Sequence, residues 1–185
     1  MDESGGRWWS WWKVLVTIAA AFLLIVAAIV VPIVRGLYSP PLGDLPVRAD
    51  AVVVFGGEDI RTSLALRLME NEFAPVLVVS FGYQDTYAQD LCEQQEPFEV
   101  MCVVPADPST RGEARMFGEL ADEYGWDSVV GVTGNYHVQR ARTYMNRCFD
   151  GTLAFVAVEW SSFSRRLLRH ETLGNIQARY LSRGC

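Results

Sequence analysis

From about residue 49 onward the chain alternates between two hydrophobic patterns. Short unbroken apolar runs occur at Ala51–Phe55 (AVVVF), Val76–Ser80 (VLVVS), Val100–Val104, Ser128–Thr133 (SVVGVT) and Leu153–Val158 (LAFVAV). Between them lie stretches with helical spacing. The first is Ile60–Phe73, where Leu64, Leu68 and Met69 fall together, and the others are Thr110–Tyr124, Tyr136–Phe149 and Phe163–Tyr180. A strand that is apolar at successive positions has no solvent face, so it belongs in a sheet covered by helices on both sides. Strands alternating with helices pair in parallel, because a parallel neighbour requires a crossover. The pattern predicts an α/β domain, Rossmann-like and doubly wound, around a mostly parallel five-stranded sheet. One segment departs from it. Asp85 to Glu99 carries five acids and no base, and reads as a solvated loop with a short helix.

The first 35 residues follow neither pattern. Val14 to Val34 is a run of 21 residues without a charge, about 31 Å long as a helix, which matches the hydrocarbon core of a bilayer. Trp8, Trp9, Trp11 and Trp12 precede it, where an interfacial aromatic belt sits. A cleaved signal peptide is the alternative. Its apolar core is usually about 7–15 residues and ends at a small-residue cleavage site, and no A-x-A directly follows the run here. We therefore expect residues 1–13 to form a short cytoplasmic N-terminus, 14–34 a single transmembrane helix, 35–48 a linker that is Pro-rich from Tyr38 to Pro46, and 49–185 the domain. The amino terminus, Arg7 and Lys13 flank one side of the span and Arg35 the other. The positive-inside rule then places the domain outside the cytoplasm, held at the cell membrane.

Charge and cysteine content narrow the function. The chain carries a net −6, and its first 35 residues hold two acids against three bases, so residues 36–185 carry −7. So acidic a domain is a poor match for nucleic acid. The 21% of charged residues is near the globular average and excludes long disorder. All four cysteines, Cys92, Cys102, Cys148 and Cys185, lie in the domain. Their even number suits an oxidising compartment. Cys92 and Cys102 are neighbours around the acidic segment, while Cys148 ends a helix and Cys185 ends the sequence. Local pairing suggests Cys92–Cys102 and Cys148–Cys185, one of three connectivities. The rival reading is zinc, which lacks its usual pairs here: there is no C-x-x-C and there are only two histidines. No metal site is expected.

In doubly wound folds ligands bind at the carboxyl ends of the strands, near the switch in strand order. With the order 3-2-1-4-5 that switch falls between the first and fourth strands. Four segments converge there: Gly56-Gly57-Glu58, Ser80-Phe81-Gly82, Pro108-Ser109-Thr110 and Thr133-Gly134-Asn135-Tyr136-His137. The paired glycines allow close backbone approach to a ligand, with helix N–H groups beyond. They also fit an ordinary tight turn before a helix capped by Asp59, since GGEDIR is neither G-x-G-x-x-G nor a P-loop. Arg61 could aim its fork at a phosphate or carboxylate. Thr110-Arg111-Gly112-Glu113 fits a T-x-x-E capping box, which leaves Ser109 as the hydroxyl better placed for a ligand. His137 and Arg140 share a helix face. Beside Ser109 and Glu113 they suggest an anion site with acid and base groups. Glu113 is expected to pair with Arg140 when no ligand is bound. His170 and Glu171 are expected to be structural or peripheral. No G-x-S-x-G elbow or H-E-x-x-H motif is present.

The segments ADAVVVFGG, APVLVVSFG, PSTRGEA and VTGNYHVQRAR, in this order and with Arg61 between the first two, resemble the DUF218 family of YdcF-like, SanA-like and ElyC-like proteins. The likeness covers about residues 49–160. It departs at Ser80-Phe81-Gly82, where the family usually has Ser-Gly-Gly. The resemblance implies a Rossmann-like fold and a polar cleft whose recurrent residues map to Gly56, Gly57, Glu58, Arg61, Ser80, Ser109, Thr110, Glu113, Tyr136, His137 and Arg140. Anchored members look like bacterial envelope proteins linked to cell-wall assembly. The resulting expectation is a membrane-anchored protein acting on a phosphate-bearing or carbohydrate wall precursor. Glu113 and His137 would be its acid/base pair, and Arg61, Asn135 and Arg140 would be among its binding residues. The alternatives are a non-catalytic binding or regulatory protein and a binder of a nucleotide-like cofactor. The cofactor, if any, is unknown from the sequence.

Overall fold

The computed structural model describes residues 4–57, 59–81, 86–160 and 164–185. The chain begins with a long helix, α1 (Ser4–Tyr38), and continues as β1 (Ala51–Val54), α2 (Asp59–Glu70), β2 (Val76–Ser80), α3 (Thr86–Glu93), β3 (Glu99–Val103), α4 (Thr110–Tyr124), β4 (Ser128–Gly134), α5 (Asn135–Cys148), β5 (Thr152–Val158) and α6 (Arg165–Ile176). The helix expected over 163–180 is divided, with a π-helical turn (Gln177–Leu181) following α6. All strands pair in parallel in the order β3-β2-β1-β4-β5. The expected α/β class and strand order are therefore those observed.

The apolar runs explain the sheet. Alternate residues of each strand feed two separate cores. On one face Val53, Phe55, Val78 and Phe155 pack with Phe117 of α4 and with Val138 and Met145 of α5. On the other, Val52, Val54, Leu77, Val79, Val130 and Val132 pack on Ala65 and Met69 of α2. Phe55 is the hub of the first core, edge-on to Phe117 with ring centroids 5.1 Å apart and 6.1 Å from Phe155. Gly131, beside Phe155 in the sheet, has no room for a Cβ, which would overlap the Phe155 ring.

Trp11–Tyr38 of α1 is long and apolar enough to cross a membrane, and its most apolar window is wholly exposed. The helix continues four residues beyond the expected span, through Arg35 to Tyr38. Its last turns are not free. Ile33, Gly36 and Leu37 are buried and Ile29 and Val30 half-buried, a stripe at helical spacing set against α5 and α6. Gly36 lies flush on Gln139, where a Cβ would overlap the side chain, and the Gln139 amide reaches the Pro32 carbonyl at 3.4 Å. The linker therefore begins at Ser39. It straps across the sheet edge: the Phe155 N–H of β5 donates to the Leu42 carbonyl at 2.7 Å, and Arg142 donates to the Pro41 carbonyl. An otherwise open edge strand is thereby covered. Both expected disulfides are present, Cys92–Cys102 and Cys148–Cys185. The second fixes the tail next to the N-terminal half of α4, where Arg111 and Arg115 donate to the Cys185 carbonyl.

Candidate functional site

A cavity of about 1040 Å3 opens at the carboxyl ends of the strands, where β1 and β4 adjoin and the crossovers diverge. The turn after β1 supplies Gly56, Gly57 and Arg61; β2 ends in Ser80; the start of α4 gives Ser109, Thr110 and Glu113; the start of α5 gives Tyr136, His137 and Arg140. The structure thus gathers these segments around one space. Glu58 and Gly82 lie outside the described residues. Asn135 does not reach the cavity. Its side chain folds back on the α5 start, accepting from the Tyr136 N–H at 2.8 Å and donating to the Trp160 carbonyl.

The turn after β1 is held from inside. Arg61 is buried, and its guanidinium donates to the carbonyls of Phe55 (3.2 Å) and Gly56 (2.7 Å) and to the Tyr136 hydroxyl (2.8 Å). Much of its fork therefore positions protein groups. Gly57 has φ of 138°, a conformation that a side chain strains. The Gly56 N–H, at the tip of the turn, donates to Glu113 Oε1 at 2.7 Å.

Glu113 projects from the first turn of α4. Burial of its carboxyl pushes its pKa above the ordinary value, against the opposing pull of the Gly56 N–H, the Ser80 hydroxyl and the charges of Arg61 and Arg140. The helix is not capped as expected. Ser109, not Thr110, is the N-cap, accepting from the Gly112 N–H at 3.1 Å; its own hydroxyl donates to Asp107 at 2.7 Å. Thr110 is one residue inside the helix and turns to the imidazole instead.

His137 is 5% exposed and saturated. Its Nε2 is 3.0 Å from the Thr110 hydroxyl and its Nδ1 is 2.9 Å from the Thr133 hydroxyl, while Phe55 packs edge-on to the ring. Burial first, and then the charges of Arg140, Arg61 and His170, holds its pKa well below the ordinary histidine value. The imidazole lines the cavity with both nitrogens engaged, and Thr110, bonded to Nε2, lines it too. This is the geometry of a base next to a hydroxyl, but so depressed a base takes a proton poorly.

Arg140 does not pair with Glu113. It donates to Glu171 Oε1 at 2.9 Å, and Gly174 gives its side chain room to lie on α6. Glu171 is 2% exposed and its Oε1 also meets His170 Nδ1 at 3.2 Å. Both Arg140 Nε and Glu171 Oε2 are buried without a hydrogen-bond partner among the described residues. Leu167, His170 and Glu171 line the same cavity. The segment expected to be structural or peripheral holds Arg140 and also lines the cavity. The signal for it, an acid on the inner face of a helix whose neighbours are three arginines, is present in the sequence but has no motif around it.

The arrangement suits an anion. Gly134, the N-cap of α5, has no side chain and Asn135 takes only the Tyr136 N–H, so the other first-turn N–H groups and the helix dipole face the cavity end. Arg140 is half-buried and rests on a single acid. No three metal-ligating side chains converge among the described residues. Comparison with known family models, curated proteins and solved structures finds no match to this chain.

Proposed function

We propose that the chain is a single-pass protein of the bacterial cell membrane, of DUF218 type, with its N-terminus in the cytoplasm and its domain outside. In this reading the domain binds the phosphate of an envelope precursor, carbohydrate-bearing or not, in the cavity between α4, α5 and α6. The observation that carries it is Arg140, a partly buried cation in the second turn of α5, held by one carboxylate that an anion can replace. Arg61 sets the turn and Tyr136 around that anion. Glu113, whose burial raises its pKa above the ordinary value, is the group placed to deliver a proton to a leaving oxygen. A second reading, binding without turnover, is favoured by the saturation of both His137 nitrogens.

Titration calorimetry of the full chain with a soluble phosphomonoester such as glycerol phosphate tests both. Arg140→Lys keeps the charge but loses the fork, so affinity should fall about tenfold, the factor carried by about 1.4 kcal/mol. If Arg140→Lys binds like wild type, the anion site is elsewhere. A screen of phosphate-bearing wall precursors separates the two readings: turnover that disappears in Glu113→Gln supports the enzyme, and tight binding without product supports the binder.

A further inference from the structure

The start of α6 runs against the charge of the domain. Residues 36–185 carry −7, yet Arg165, Arg166 and Arg169 fall within five residues at its start, all exposed. Arg165, Arg169 and Leu173 recur at every fourth position, which puts them on one helix face, and Leu173 is 66% exposed. The opposite face, through Glu171 and Asn175, is buried. An exposed stripe of arginines ending in a leucine is the pattern of a helix that rests on an anionic lipid surface.

The packing of α1 places this stripe at the right level. α1 packs on both α5 and α6. It touches Gln139 at Gly36 and at Pro32, the latter inside the uncharged 14–34 run. Pro32 is eight residues from the midpoint of that run, about 12 Å along a helix, within the roughly 15 Å half-thickness of a bilayer core. Gln139 precedes Arg140, so the residue beside the site's half-buried cation touches the span itself. Trp160, 38% exposed and edge-on to Tyr136 at 5.9 Å, adds an amphipathic ring at the same end of the sheet, of the kind enriched at membrane interfaces.

Resting on the reading of the cavity as a phosphate site, we propose that α6 lies on the bilayer surface with its arginines among anionic headgroups, so that the cavity takes the anionic head of a membrane amphiphile. Leu167 and Glu171 of the same helix wall the cavity, so a head bound at Arg140 sits close under the lipid surface. Its hydrocarbon tail then stays in the membrane and need not be accommodated by the cavity. The three arginines also concentrate anionic heads beside the site.

The test uses the full chain in nanodiscs of zwitterionic lipid with about one-third anionic lipid, and two probes: hexadecyl phosphate in the bilayer and glycerol phosphate in solution. A spin label at Leu173→Cys should report immersion at headgroup depth, while one at Glu119→Cys, on exposed α4 surface, should be as wet as the solvent. Neutralising the stripe (Arg165→Gln, Arg166→Gln, Arg169→Gln) changes only exposed side chains and leaves the Ser164 cap of α6 in place. It should weaken hexadecyl phosphate binding about tenfold, leave glycerol phosphate binding unchanged and raise the Leu173 label toward water. A Leu173 label as wet as the Glu119 label overturns the placement of α6. Equal loss for both probes in the triple variant overturns the role of the arginines at the membrane. Failure of the underlying site reading has a different signature: Arg140→Lys indistinguishable from wild type for both probes, with the depth of the Leu173 label unaffected and still deciding the placement of α6.

Discussion

His137 gives the fold a measurable sensitivity to acid. In the unfolded chain this imidazole titrates at its ordinary value of 6.5, whereas in the folded protein burial and the nearby Arg140 and Arg61 hold it neutral to well below that. Below pH 6.5 the unfolded state therefore binds a proton that the folded state refuses, so the stability linked to this group is complete at alkaline pH and is lost as pH falls. The loss follows RT ln(1 + 10^(6.5 − pH)). It is about 0.4 kcal/mol at pH 6.5 and about 1.4 kcal/mol at pH 5.5 for a folded-state pKa lower than that. Glu113 acts with the opposite sign. Its folded pKa is raised, so its contribution is full below its unfolded value of 4.5 and declines as pH rises through the folded one. The wild-type curve mixes the two, and His137→Gln separates them, because removing a neutral ring leaves the charges around Glu113 unchanged. The variant should start about 1–3 kcal/mol less stable, since the Thr110 and Thr133 hydroxyls lose their partner. That offset should shrink by about 1.4 kcal/mol between about pH 8 and pH 5.5. Urea unfolding of the detergent-solubilised full chain, followed by far-ultraviolet circular dichroism with both disulfides intact, gives the two curves. Parallel curves, with an offset constant to within about 0.3 kcal/mol, would falsify the neutral, buried imidazole.

The two disulfides close loops of different length, so their removal should differ in the same direction: about 4 kcal/mol for Cys148→Ser with Cys185→Ser and about 3 kcal/mol for Cys92→Ser with Cys102→Ser in the chain-entropy treatment, measured by the same unfolding assay. Gly57→Ala forces a Cβ onto a φ of 138° and to 3.2 Å from Arg61 Nη1; it should cost on the order of 1–3 kcal/mol and weaken phosphate binding by calorimetry, and a neutral result would mean that the turn relaxes freely.

The fold was legible because its strands are buried on both faces. Val52 and Val53 point to opposite cores, and both had to be apolar. The convergence of Gly56, Ser80, Thr110 and His137 followed from the strand order alone. The end of α1 was not legible. Arg35 reads as a boundary charge, but nothing local says that Ile33 and Leu37 meet a domain rather than lipid, because both environments accept the same side chains. The Cys148–Cys185 pair was legible as a pairing of termini; its consequence, a tail held by Arg111 and Arg115 beside the site, depends on a contact 70 or more residues away in sequence.

The internal pairing of the site was misread for a similar reason. Glu113 and Arg140 both point into the cavity from adjacent helix starts, so sequence spacing made them natural partners. The Gly56 N–H reaches Glu113 first, at 2.7 Å, because a tight turn projects its N–H groups into the space beyond the strand. A carboxylate already held by a backbone donor gains less from a distant arginine than one that would otherwise be buried alone. Glu171 is in that second position, buried on the inner face of α6 with one oxygen unpartnered, and an uncompensated buried charge is costly. Arg140 therefore goes to α6, and under the proposed function the cation that an anion would recruit is held by the helix that carries the exposed arginine stripe. Displacing it frees Glu171, whose second oxygen can then accept a donor from the ligand. Glu171→Gln should for this reason strengthen binding of bare inorganic phosphate, which needs only the released Arg140, and weaken the preference for a phosphate ester bearing hydroxyls over inorganic phosphate. Calorimetry with phosphate and glycerol phosphate measures both affinities, and a variant that weakens the two equally would assign Glu171 to holding α6 in place and nothing more.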